Sequence, residues 1–99
     1  MKKFRVLVKG QNFLLDSDRG IKRFGFYTTR LVEAADRNEA ERVAIEALRQ
    51  DDRLRGKVRN ERSDPPMLFA EEIAEVPSFD GVDSQSHGLA LYEDQRTTH

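Results

Sequence analysis

Arg23-Phe24-Gly25-Phe26-Tyr27-Thr28-Thr29-Arg30-Leu31-Val32 leads through Glu33-Ala34-Ala35-Asp36 into Arg37 to Leu48, and along the way the apolar period changes. The first part alternates every second residue. Phe24, Phe26, Thr28, Arg30 and Val32 fall on one face and Tyr27, Thr29 and Leu31 on the other, the pattern of a strand. Both faces carry bulk, so the second face is expected to be partly covered by a loop, the C-terminal segment or a second subunit. Asp36 is placed to cap a helix, with Glu39 reaching back in a capping-box arrangement. The spacing predicts a helix from Arg37 to Gln50, with Ala40, Val43, Ala44, Ala47 and Leu48 as its apolar stripe and Ile45 off it.

Working outward, Phe4, Val6 and Val8 alternate with Arg5 and Lys9, which reads as an earlier strand with Leu7 as an outward exception. Gly10-Gln11-Asn12 interrupts the pattern as a bulge or bend before Phe13-Leu14-Leu15 resumes it. Asp16-Ser17-Asp18-Arg19-Gly20 is a turn of short acceptor side chains and a permissive glycine, so the first two strands should form an antiparallel hairpin. Beyond the helix, Gly56 to Glu61 reads as a short edge strand or an extended connector, and Ser63-Asp64-Pro65-Pro66 as a turn. Met67 to Val76 fits a strand bulged near Glu71-Glu72; Phe69, Ile73 and Val76 also fall at helical spacing, but a hairpin needs a third strand. The expected fold is α+β: a small antiparallel sheet of three to five strands in the order β-β-α-β-β, with one main helix packed on one face. Residues 1–79 form the single domain and 80–99 a loop and tail, with Leu89-Ala90-Leu91-Tyr92 as a short docking strand.

Ninety-nine residues make one domain that buries roughly 60–68% of its unfolded surface. Apolar residues are 37% and charged residues 35%, a polar balance that suggests a core completed across a subunit interface, hence a homodimer. The absence of cysteine removes disulfides, thiolate zinc sites and cysteine nucleophiles. No run of about 18 apolar residues exists, and Met1-Lys2-Lys3-Phe4-Arg5 leads into alternating charge, so no membrane association and a cytoplasmic location are expected. The net charge of −1 conceals a split: residues 1–62 hold sixteen Lys/Arg against ten Asp/Glu, and residues 63–99 one against eight. An acidic C-terminal segment beside the basic half, in the same or a partner subunit, is the simplest reading; a basic nucleic-acid surface with a competing acidic tail is the other.

Lys22-Arg23-Phe24-Gly25-Phe26-Tyr27-Thr28-Thr29 resembles part of the RNP1 strand of the RNA recognition motif family, in its basic, aromatic, glycine and second aromatic positions. That resemblance implies base stacking by strand aromatics, with Lys22, Arg23, Phe24 and Phe26 as the nucleic-acid-binding set. Arg23 stands where the motif has its first glycine and Thr29 where it has its last aromatic, and the chain before Phe24 is too short for the family's preceding strand, helix and strand. The longer string from Gly10 through Phe24-Gly25-Phe26-Tyr27-Thr28-Thr29-Arg30 to Ala34 is similar to a group of small bacterial proteins of unassigned function. This resemblance favours a bacterial cytosolic setting and points to no particular activity.

Catalytic candidates are few. His87 and His99 are the only histidines, Ser86 beside His87 is a sequence neighbour rather than a triad, and Glu71, Glu72 and Glu75 read as a solvated acidic edge. Asp16-Ser17-Asp18 lacks the later ligands of a calcium loop, and Asp80, Asp83 and His87 lie in a loop with nothing to hold metal geometry. No catalytic residue, metal or cofactor is therefore assigned. If there is a pocket, Tyr27, Thr29 and Arg30 offer two hydroxyls and a guanidinium to a carboxylate or phosphate. The leading expectation is a non-catalytic, homodimeric interaction module that contacts another protein. RNA or single-stranded DNA binding through Lys22 to Arg30 comes second, and a small-molecule enzyme or anion binder at Tyr27 and Arg30 third.

Overall fold

Alternation in the first 34 residues produces two long strands, β1 (Lys2–Ser17) and β2 (Gly20–Ala34), closed by a tight turn in which Gly20 takes a φ of +96°. In this computed structural model, which describes residues 1–80 and 90–93, they pair antiparallel from Lys2 against Ala34 to Ser17 against Gly20. The register shifts once, between Gly10 and Phe13, where the sequence breaks its alternation. Asn12 supplies the required geometry with a φ of +60°, a region that Asn tolerates better than most residues.

Met67–Val76 is the expected strand despite its helical spacing; as β3 it runs antiparallel to the other edge of β1. Its bulge falls at Glu71, because Leu7 faces Glu72 while Val8 faces Ala70. A short strand, β4 (Ala90–Glu93), pairs with Phe24 to Tyr27 of β2. The result is the expected small α+β fold: a four-stranded antiparallel sheet in the order β3-β1-β2-β4 and one helix, α1 (Arg37–Arg49).

The core is single-sided. Phe4, Val6, Val8, Val32 and Ala34 of the hairpin pack against Ala40, Ala44 and Leu48 of α1. Small residues at positions 40 and 44 allow close approach to the sheet, and Leu48 is fully buried near the end of the helix. One expectation needs correction: Ala47 is exposed, while Ile45 packs on the core. The stripe is rotated toward Ile45 because β3 lies beyond β1 and its Leu68, Ala70 and Ile73 also need cover.

Asp36 accepts from the Glu39 amide at 2.8 Å, and Glu39 accepts from the Ala35 amide at 2.9 Å. Two free donors at the helix entrance are thereby satisfied. Asp36→Ala should lower stability by about 1 kcal/mol, read as a small shift of the urea midpoint with no change in slope.

Candidate functional site

The helix covers one face of the sheet, and the register fixes what the other face presents. Lys3, Arg5, Leu7 and Lys9 of β1 share that open face with Tyr27, Thr29, Leu31 and Glu33 of β2 and with Phe69, Glu72 and Ala74 of β3. Lys9 stands in register between Phe69 and Tyr27, its amino group 5.8 Å from the Tyr27 ring centre. Tyr92 of β4 sets its ring 6.2 Å from that of Tyr27 and fills the space that Gly25 leaves without a side chain. Tyr27 (38% exposed), Phe69 (37%) and Tyr92 (41%) are thus large apolar groups open to solvent on one face. At the far end, Lys3 lies 6.0 Å from the centre of the Phe79 ring.

The charges of this face are of both signs. Lys3 approaches Glu33 at 3.8 Å and Arg5 approaches Glu72 at 3.7 Å, distances at which exposed pairs contribute little. Lys9 has an aromatic neighbour and no ion pair among the described residues.

The residues singled out by sequence separate onto both faces. Tyr27 and Thr29 lie on the open face. Arg30 is opposite Val6 on the helix side and runs to Asp51. Arg23 shares the open face with Tyr27, but Lys22 and Phe24, opposite Leu15 and Phe13, point the other way. Phe26 is fully buried with its ring 5.1 Å from Phe13. The most exposed aromatic rings among the described residues are therefore Tyr27, Phe69 and Tyr92, of which sequence reading nominated only the first, while Phe24 is half-buried on the helix side. Lys9 and Phe69 could have been found from the alternation of their strands once β3 was placed beside β1.

Arg30 belongs to a charged knot at the end of α1. Its guanidinium donates to Asp51 Oδ2 at 2.5 Å, and Arg53 makes a fork onto the same carboxylate, Nε to Oδ1 at 2.9 Å and Nη2 to Oδ2 at 2.6 Å. The Arg53 amide adds a further bond at 2.9 Å. The Arg53 guanidinium above all, then its amide and Arg30, hold the Asp51 carboxyl far below the usual carboxylate range, against the opposing push of burial.

A concavity lies beside this knot, where Phe13, Leu48, Leu54, Val58 and Leu68 line a cavity of about 290 Å³. Its outer wall is the connection from Gln50 to Pro66, and that connection is tied to β1 by specific bonds. Val58 bridges Leu15, the Arg59 amide donates to the Leu14 carbonyl at 2.8 Å, and Asn60 Oδ1 accepts from the Leu14 amide at 2.9 Å. Asn60 Nδ2 donates to the carbonyls of Asn12 (2.7 Å) and Asp64 (2.9 Å), while Asn12 Nδ2 donates to Asp64 Oδ1 at 2.8 Å. The bulge of β1 is thus the anchor of the loop.

No group of three or more metal-ligating side chains forms among the described residues. Asp83, Ser86, His87, Leu89 and His99 lie outside the described residues. Among the described residues no helix is long and apolar enough to cross a membrane. No protein-family model matches the chain, and neither a curated protein nor a solved structure shows significant similarity to it.

Proposed function

We propose that the protein is a non-catalytic binding module whose open sheet face is its contact surface, and that the first occupant of this face is a second copy of the chain. The observation that carries the reading is the exposure of Tyr27, Phe69 and Tyr92 together on a face over which α1 does not pass. Aromatic residues are enriched in interfaces because each buries a large area at low rotamer cost. The charge pattern argues for self-association: Lys3, Arg5, Lys9 and Arg23 alternate with Glu33 and Glu72, so a two-fold axis can set carboxylates of one copy against cations of the other.

A second reading has its own support in the row Phe69, Lys9, Tyr27, in which two rings flank a cation across neighbouring strands. That is the arrangement on which bases stack while a phosphate meets the amine. It relocates the nucleic-acid alternative from Phe24 and Phe26 to the open face.

Tyr27→Glu and Phe69→Glu distinguish the two. Sedimentation should show a wild-type dimer and monomeric, folded variants. A wild type that stays monomeric at all concentrations rejects the homodimer. Oligonucleotide binding that falls steeply between low and moderate salt and is lost in both variants establishes the second reading.

A further inference from the structure

The connection from Gln50 to Pro66 exceeds the roughly 12–15 residues that structureless loops in compact domains usually reach, and loops of that length are commonly functional. This one is built as a wall. Leu54 is turned inward with 4% exposure, Val58 bridges Leu15, and the Asn12, Asn60 and Asp64 clasp fixes the far end. Behind the wall lies the cavity of about 290 Å³, close to the lower end of the 300–1,000 Å³ that small-molecule sites usually occupy.

The lining has two chemistries. Phe13, Leu54, Val58 and Leu68 supply apolar surface, and among the described residues the only charged ones lining the cavity are Arg49 and Arg55. Neither arginine has an ion pair among the described residues, whereas Arg59 is committed to Asp16 at 2.8 Å and Arg30 to Asp51. Of the nearby acids, Asp51 is paired with Arg30 and Arg53, Glu46 accepts from the Gln50 side-chain amide at 3.3 Å, and exposed Asp52 does not line the cavity. The carbonyls of Glu46 and Leu48 at the helix end accept from the amides of Gln50 and Asp51, so they too are paired. Arg49 also borders an adjoining groove that contains Glu41 and Glu46, whereas Arg55 does not line that groove.

We infer that this cavity is a binding site for a small amphiphilic carboxylate, its hydrocarbon body on Phe13, Leu54, Val58 and Leu68 and its anionic head on the guanidinium of Arg55, with Arg49 assisting. The site is on the opposite side of the sheet from the open face and is independent of what that face binds. An apolar floor excludes highly hydrated anions such as free phosphate, and a cationic rim discriminates against amphiphiles of positive charge.

Octanoate, octanol and octyltrimethylammonium share a chain and differ in head charge, so they test both halves of the site on the full-length protein. Amide chemical shifts should saturate with octanoate and map to Leu48, Leu54, Gly56, Val58 and Leu68, with octanol weaker and octyltrimethylammonium weaker still. Arg55→Glu, at an exposed position, should weaken octanoate about tenfold, the scale of one charge-assisted contact, and leave octanol nearly unchanged. Narrowing the cavity with Val58→Phe should weaken octanoate and octanol alike. Shifts that do not saturate, equal binding of all three amphiphiles, or octanoate binding unchanged in Arg55→Glu would each overturn the site.

Discussion

Phe26→Ala is expected to destabilise the domain by about 3–5 kcal/mol, the range for removing a buried aromatic ring and leaving a partly collapsed cavity. That is a large fraction of the 5–15 kcal/mol available to a small domain. The ring is fully buried, tilts against Phe13, and sits over Gly10 on the neighbouring strand. Gly10 is glycine for this reason: a Cβ there would be driven into the Phe26 ring itself. Gly10→Ala should therefore lower stability by about 1–3 kcal/mol through overpacking. The two effects share one volume, so Gly10→Ala combined with Phe26→Leu should cost less than the sum of the single changes. Urea unfolding of the four proteins measures the coupling, and strict additivity would show that the methyl and the ring do not compete for space.

Asp51→Asn should be the second large loss, about 3 kcal/mol, because breaking a largely buried pair strands the surviving charge. The side chains of Arg30 and Asp51 are 18% and 11% exposed, and Arg30 Nε already lacks a hydrogen-bond partner. Removal of the carboxylate would leave its whole guanidinium uncompensated beneath the helix end. The pH dependence has a definite sign. Since the folded carboxyl is held below its unfolded value, its contribution is fully present above about pH 4 and is lost as pH falls from there toward the folded value. The difference in urea midpoint between wild type and Asp51→Asn should accordingly stay constant through neutral pH and narrow in acid. A gap that instead widened on acidification would show that the knot is not stabilised by the ionised form.

Much of this fold can be read from local periodicity. The hairpin, its bulge at Gly10 to Asn12, the Asp36 cap and the helix depend on contacts close in sequence, where spacing and capping chemistry act directly. What stayed hidden depended on partners far along the chain. Ile45 looked misplaced until β3 provided a surface for it, and Ala47 looked buried until the helix was seen to turn toward that strand. The same holds for the sites. Tyr27 was recognisable as a candidate, but its neighbours Phe69 and Tyr92 arrive from strands whose order no pattern in β2 specifies. Arg30 was grouped with Tyr27 and Thr29, yet alternation sends it through the sheet to Asp51. The cavity beside α1 depends on Asn60 reaching back to Asn12 and Leu14, a long-range clasp that leaves no periodic trace.

The strand order β3-β1-β2-β4 also sets a folding schedule. β1 and β2 are joined by a tight turn and can zip together early, at small loop-closure cost. Between them and β3 lie the whole of α1 and the clasped connection, because Lys3 pairs with Val76 and Gln11 with Met67. Pairing across so much chain is the slow kind of contact. Until β3 docks, the outer edge of β1 presents an unpaired ladder beside Val6 and Val8, a template for any other strand in the same state. The central position of β1 thus makes the arrival of β3, rather than formation of the hairpin, the step at which a crowded population of these chains divides between folding and aggregation.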